Sequence, residues 1–544
     1  MVLPVVLIDV VAFGVFVACG VAVAALIRGS SGGIERSSRL AVIAALVAVV
    51  ILLLKTGAVL QFGIPDSAEY VGSASRLLHD HTFFLNLHGR DLPSRYQPWF
   101  SWFLVYPLMR LALANWIVAI LPPLCAILGG YAAAMLAATI LPPERRSLAP
   151  AIGAGVVLVP AYLYFSGHLM TDIPSTAITL LLAAVFCGGP VQAIPLGRLS
   201  CIGILAALVF SMRPLGVLVL LPFLIESRRG IGRFAVLLIP TLIVGTASLW
   251  LNQKVFGDAL RSGYNLWTAV PYDYIGRTFS FEFLGANLDT LVKDPVFLAF
   301  AVVGLCPLSR QMRSRLGLDT RESRALVFVA LALVPQALLH LVYFYSTIRF
   351  FLALEVMCGI LLACRIASIV PMKVFSTTAM CLVLVMGLVR SPEAISSMHH
   401  STLEKLLRLK ECAPANALLV SSRHPVLNEE FVMRDSDRIL VPVSRNNELA
   451  SKVLVWRKVE APPGVVIDPR DHRAQWLLQG GAEEVYPHVA VERPGLLSEA
   501  IASGITVVLD EEGISSEDLQ TLERDFTFEP FCGEFRKLGV RGAP

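Results

Sequence analysis

Apolar residues gather in runs longer than most soluble helices bury, and short polar turns separate them. A bilayer-spanning helix needs roughly 20 mostly apolar residues. About twelve runs approach that length: 3–27, 39–60, 116–140, 148–166, 174–189, 199–212, 214–226, 233–251, 295–309, 325–345, 350–367 and 373–390. The pattern predicts a polytopic α-helical membrane protein of about 12 transmembrane helices over residues 1–390. The stretch WFSWFLVYPLMRLAL, 99–113, carries Trp99, Trp102 and Tyr106 and suits a helix lying at the interface instead of crossing. From residue 391 the long runs stop. Short β-like runs (ALLVSS, RILVPV, GITVVLD) alternate with polar helical stretches such as SEDLQTLERDF, predicting a small soluble α/β domain over 391–544.

Composition agrees: 56% hydrophobic and 16% charged residues, with mean hydropathy +0.68, exclude an ordinary soluble globule. The first run lacks a preceding cationic stretch and exceeds a signal-peptide core, so it reads as a retained span with Asp9 near the interface. A net charge of +4 with scattered arginines gives no sign of nucleic-acid binding. The arginines report orientation instead. Loops holding Arg28, Arg36 and Arg39, Arg145 and Arg146, Arg198, Arg228, Arg229 and Arg233, and Arg310 to Arg324 read as cytoplasmic. The loops 61–97 and 252–294, the turns at 167–173, Arg213 and Arg349, and the C-terminal domain are then extracytoplasmic. Eight of ten cysteines sit in or beside apolar runs without metal-ligand spacing and read as small buried side chains. Cys412 and Cys532 lie in the soluble tail, where an outside location would permit a disulfide.

The predicted outer face collects the polar residues with chemical potential. Asp66, in IPDSAEYVGSASRLLHD, follows Gly63 and Pro65 and precedes Tyr70, Ala74 and Leu77 at helical spacing. A carboxylate there serves equally as a helix cap or as a base for an acceptor hydroxyl. Arg95, Arg213 and Arg349 offer planar donor forks matched to phosphate oxygens, or snorkel to lipid headgroups. Asp172, before Pro174, fits the first turn of a helix, and His168 stands close by in sequence. Tyr264, Trp267, Tyr272 and Tyr274 fit an interfacial belt, or stack on a sugar as a lid. There is no phosphate-binding glycine loop followed by Lys and Ser or Thr, and no histidine-rich metal constellation. A divalent cation held by carboxylates needs no readable spacing, so the sequence leaves it open.

Asp66, Tyr70, Ala74 and Leu77 after an early span, followed by RYQPWFSWFLVYPL, resemble the first outer loop of the GT-C superfamily of membrane glycosyltransferases, in particular its protein O-mannosyltransferase and lipid A aminoarabinose-transferase branch. SGHLMTDIPSTAITLLLA, GILAALVFSMRPLGVLVLLP, KVFGDALRSGYNLW and YFYSTIRFFLALEVMCGILLA are similar to later segments in the same order, so the resemblance covers roughly residues 40–370. The chain departs from the family's acidic pair by having Ser67 beside Asp66 and Glu69 three positions on, and by placing Arg95 and Tyr96 before Pro98.

The resemblance implies a GT-C-like fold and inverting transfer of a sugar from a polyprenyl-phosphate donor to a lipid, glycan or protein hydroxyl. It casts Asp66 as base and Arg95, Arg213 and Arg349 as holders of the donor phosphate. Glu69, Tyr70, Tyr96, His168, Asp172 and Tyr264 are then substrate-binding. It also suggests a bacterial inner membrane, and no N-x-Ser/Thr acceptor site is present. The alternative is a transporter or flippase of a lipid-linked or anionic substrate, whose charged groups would run through the bilayer on both leaflets.

Overall fold

The computed structural model describes residues 5–30, 65–87, 90–111, 121–228, 230–260, 262–263, 279–306, 308–343, 346–375, 400–434, 436–444, 454–456, 482–484, 486 and 488–542. Five helices among them are long and apolar enough to cross a membrane: Val5–Gly29, Leu121–Ile140, Ile231–Val255, Thr320–Leu341 and Ile348–Ile369. A sixth arises if Pro143–Val157 and Pro160–Ser166, bent by 66°, form one broken span.

Among the described residues the expected count of about twelve is therefore corrected to five or six, because apolar composition registers burial and not the thickness of a bilayer. The runs at 174–189, 199–212, 214–226 and 295–309 become Asp172–Cys187, Leu196–Met212, Pro214–Ser227 and Pro295–Leu305, each within 10–17 residues. At about 1.5 Å per residue, such helices fall short of a hydrocarbon core roughly 30 Å thick. Asp172–Cys187 is buried along its whole length, so its apolarity faces protein. The expected span 39–60 lies outside the described residues, as does 373–390 beyond residue 375. Residues 99–113 give no long helix: a π-helical turn, Ser101–Val105, leads into Tyr106–Arg110.

Small residues let the helices approach closely. A Cβ on Gly153 would collide with the carbonyl oxygen of Gly130, and one on Gly203 would lie 2.8 Å from that of Val236. Arginines gather at one end of the bundle, where they cap helix C-termini. Arg321 donates to Thr139, Arg324 to Phe186 and Gly189, and Arg145 to Ala367 and Val370, all at backbone carbonyls. Asp172, Arg213 and Arg349 mark the other ends of the helices they adjoin.

Where the sequence pattern predicts a small α/β domain, the C-terminal part is a small β-rich region. Five of its strands form a mixed sheet: β3 (Leu418–Ser421), β4 (Ile439–Pro442), β7 (Val507–Asp510), β8 (Phe526–Phe531) and β9 (Phe535–Val540), ordered β4-β3-β7-β9-β8. β3 runs parallel to β4 and β7, whereas β9 is antiparallel to β7 and β8, so only part of the sheet follows the parallel pattern. Two further antiparallel pairs lie among the described residues: β5 (Leu454–Trp456) with β6 (Ala482–Glu484) in the tail, and β1 (Phe84–Leu87) with β2 (Arg90–Pro93) outside it. β3 and β7 are buried throughout, as central strands covered on both faces must be. A disulfide joins Cys412, the last residue of the helix His400–Cys412, to Cys532 beyond β8.

That disulfide closes a loop across 120 residues, long enough to remove considerable freedom from the unfolded tail. Cys532→Ser is expected to destabilise the tail by about 2–5 kcal/mol, read as a lower urea midpoint in the full-length protein; an unchanged midpoint would show that the bridge adds nothing.

Candidate active site

The helix Pro65–His79 starts on a proline suited to a first turn and carries Asp66 where the helix dipole favours a negative charge. Asp66, Glu69 and Tyr70 share one face by the i, i+3, i+4 rule. The β1–β2 pair then turns the chain back and brings Ser94 and Arg95 over that face. Arg95 donates to Asp66 Oδ1 through Nη2 at 2.9 Å and to Glu69 Oε2 through Nε at 2.9 Å. The other Glu69 oxygen accepts from the Ser94 hydroxyl and the Arg95 backbone N–H. A fully buried carboxylate thus fixes the turn that presents Arg95. Gly263 packs on the same turn so closely that a Cβ there would collide with the Ser94 carbonyl.

The second half of the site comes from the bundle. Arg349 precedes the helix Leu352–Ile369 and donates through Nη1 to Asp66 Oδ2 at 2.7 Å. Arg213 ends Leu196–Met212, pairs with the buried Asp172, and reaches the Arg349 carbonyl oxygen at 3.4 Å. The Phe350 ring lies between the guanidiniums of Arg213, at 5.5 Å, and Arg349, at 5.2 Å, and stacks on His340 at 4.6 Å. Tyr70 stacks on Tyr96 at 4.9 Å, and the Arg95 guanidinium sits 5.0 Å from the Tyr96 ring.

Three carboxylates and three guanidiniums from five separate segments therefore form one connected circuit. Burial alone would raise the Asp66 carboxyl, but Arg95 and Arg349 outweigh it and hold the group down at about 2. Asp66 is consequently ionised throughout the physiological range, with each oxygen already accepting from a guanidinium.

Among the residues singled out by sequence, Asp66, Glu69, Tyr70, Arg95, Tyr96, Asp172, Arg213 and Arg349 come together. Asp172 is not the cap residue of its helix; Thr171 holds that position, and the Asp172 carboxylate turns to Arg213. His168 is buried with Nδ1 2.8 Å from the Tyr164 carbonyl oxygen. Tyr264, Trp267, Tyr272 and Tyr274 lie outside the described residues. Sequence reading missed Ser94, Phe350 and His340, whose side chains carry no motif of their own. It also missed His424, a buried tail residue close enough to the site for the Arg95 and Asp66 charges to act on it. Among the described residues, no group of three or more His, Cys, Asp or Glu side chains is arranged to hold a metal ion.

Fold and site together define an α-helical membrane protein with a buried cluster of paired carboxylates and guanidiniums at one end of its bundle. Its backbone is similar to that of ArnT from Cupriavidus metallidurans bound to undecaprenyl phosphate, with a TM-score of 0.55 at 11% identity, covering 93% of this chain and 98% of that one. The apo form of the same protein gives a TM-score of 0.51 at 12% identity, covering 92% and 97%. An Archaeoglobus fulgidus oligosaccharyltransferase in the apo form gives 0.48 at 11% identity, covering 91% and 73%. No protein-family model and no curated protein sequence matches the chain. At such identities the likeness is one of fold.

Glu69→Ala would leave the Ser94 hydroxyl and the Arg95 backbone N–H without their acceptor in a buried turn. Breaking a buried pair from one side typically costs about 3–5 kcal/mol. The expected outcome is a Tm lowered by several degrees in detergent, and an unchanged Tm would mean that Glu69 does not hold the turn.

Proposed function

We propose that this protein is an inverting glycosyltransferase that moves a sugar from a polyprenyl-phosphate donor to an acceptor hydroxyl at the extracytoplasmic face of a membrane. The observation that carries the reading is the Asp66 carboxylate held between Arg95 and Arg349, with Arg213 and Asp172 alongside, in a chain of this fold. Asp66 takes the proton of the acceptor hydroxyl as its oxygen attacks the anomeric carbon. The bond from that carbon to the phosphate oxygen breaks on the opposite side, and the polyprenyl phosphate leaves with the electron pair. Arg213 and Arg349 stabilise the charge that grows on the phosphate.

A carboxylate whose pKa lies near 2 accepts protons poorly. The donor supplies the remedy in this account. Its phosphate competes for Arg349 and Arg213, loosens their hold on Asp66 and Asp172, and leaves Asp66 more basic once the donor is seated. Donor therefore binds before acceptor. An apolar groove of about 580 Å³ runs along the helix that begins just after Arg349, between Val356, Gly359 and Ala363 on one side and Ile152, Val156 and Ala299 on the others. It suits the lipid chain of such a donor. The same reading takes residues 1–390 as the membrane transferase domain and 391–544 as a tail outside the cytoplasm, most simply in a bacterial inner membrane; the Cys412–Cys532 disulfide favours an oxidising compartment for that tail.

Charged groups also occur at the opposite end of the bundle, which is the observation favouring a transporter. There, however, Arg365 and Glu322 are paired at 2.6 Å, Arg365 also donates to the Val303 carbonyl, and Arg324 pairs with Glu226. Arginines bonded to carboxylates and helix ends act as fasteners, so the transferase reading is preferred.

Asp66→Asn should leave the protein folded and lower kcat by roughly 10²–10⁴; near-normal turnover would remove Asp66 as the base. Arg349→Ala removes one of the two cations that depress the Asp66 pKa, so that pKa rises. The acid limb of kcat/KM should then appear at higher pH than in the wild type, together with a rate lower by roughly 10²–10³ if Arg349 serves the leaving phosphate. An unmoved limb with an unchanged rate would return Arg349 to headgroup anchoring.

A further inference from the structure

The helix that bears Asp66 has two faces. Asp66, Glu69, Tyr70 and Ser73 turn toward one side, while Ala68, Gly72, Ser75, Arg76 and His79 lie on the other by the 3.6-residue period. The arginine circuit holds the first face. The second is held by the C-terminal region, through a segment more than 340 residues away in the chain.

Glu430 is the centre of that hold. Its Oε1 accepts from both Nε and Nη2 of Arg76, each at 3.3 Å. Its Oε2 lies 3.7 Å from Arg434 Nη1, and the same Arg434 nitrogen donates to the Ser75 hydroxyl at 2.9 Å. The Glu430 side chain is 4% exposed, and with Gly72, Ser75, Arg76 and Arg434 it lines the inner wall of an open cavity of about 1010 Å³ between helix and tail. Gly72 makes the approach possible: a Cβ at that position would stand 2.6 Å from the Glu430 carboxyl carbon. One turn earlier, Ala68 is fully buried in the tail's own apolar cluster with Leu406, Val426, Leu427 and Met433. His424 opens this segment, capping the turn Pro425–Asn428 by accepting from the Val426 N–H.

From this packing we infer that the C-terminal region is part of the catalytic apparatus, with Glu430 as a positioning residue that fixes the Asp66 helix from behind through Arg76. The inference rests on the transferase reading for its catalytic half, since it makes the tail a determinant of where the Asp66 carboxylate stands relative to an acceptor hydroxyl. A rotation of the helix by a small part of a turn would carry Asp66 out of reach of that hydroxyl while leaving Arg213 and Arg349 in place for the donor. Loss of the hold therefore lowers kcat and spares the donor's KM.

The test uses full-length protein in nanodiscs, comparing wild type with Glu430→Ala, Arg76→Ala and the milder Arg76→Lys. Amide hydrogen exchange of residues 65–79 is measured beside steady-state turnover of polyprenyl-phosphate sugars. The expected result is faster exchange across 65–79 in both alanine variants, kcat lower by about 10- to 100-fold, a donor KM changed less than about threefold, and partial recovery in Arg76→Lys. The shape of the pH profile should not change, because Glu430 exchanges no proton with substrate. Unchanged exchange, or faster exchange with unchanged kcat, would overturn the positioning role. If a variant fails to fold, Arg76→Lys carries the same comparison. If wild type turns over no donor, the transferase reading fails and the catalytic half of the inference falls with it, while the exchange data still decide whether the tail orders the helix.

Discussion

Everything in this site depends on one carboxylate shared by two guanidiniums. Arg95 reaches Asp66 from a turn that follows the β1–β2 pair, and Arg349 reaches it from the mouth of a membrane helix 283 positions away in the chain. Each arginine is itself tied into the structure, Arg95 by Glu69 and Arg349 through its carbonyl to Arg213 and so to Asp172. Pairing each carboxylate with a guanidinium lets the groups share a largely buried space, because a buried charge left without its partner is costly. In the proposed reading, a donor phosphate arrives as a further anion and redistributes these pairs, freeing Asp66 to act as a base.

Much of the site was legible because it falls where polar residues interrupt apolar runs. Asp66, Asp172, Arg213 and Arg349 each stand at a helix end, where the alternation of apolar runs and polar turns singles them out, whereas Arg95 entered through the resemblance of its loop to a known family. The pairings were not legible: nothing in FSMRPLG says that Arg213 meets Asp172. The span count failed for a related reason. Asp172–Cys187 has the composition of a membrane span and the length of an interior helix, and hydropathy cannot separate the two. In the tail, β-branched runs announced strands, yet the antiparallel β8 and β9 that turn the region β-rich read only as polar, aromatic sequence.

Among the described residues, the tail grips the membrane part of the chain chiefly at one helix, Pro65–His79, with Val255 of the helix Ile231–Phe256 also against its apolar cluster. The front of Pro65–His79 is set by arginines, its back by Glu430 and an apolar seam around Ala68, and small residues at 68 and 72 allow that double grip. The helix is too polar to cross a membrane and too buried to be a loop, and it derives its order from partners on both sides. Local sequence therefore says little about its placement, which explains why the second grip escaped a reading made along the chain.

Whether the Asp66–Arg349 site breaks a sugar–phosphate bond with inversion decides the proposed function. The most direct measurement incubates the purified protein in nanodiscs with a panel of polyprenyl-phosphate sugars of known anomeric configuration and acceptor-bearing membrane extract, then determines the anomeric configuration of the transferred sugar by NMR. Inverting transfer gives product of opposite configuration to the donor, with free polyprenyl phosphate released in equal amount. Product of retained configuration, or donors that bind and remain intact, would contradict it.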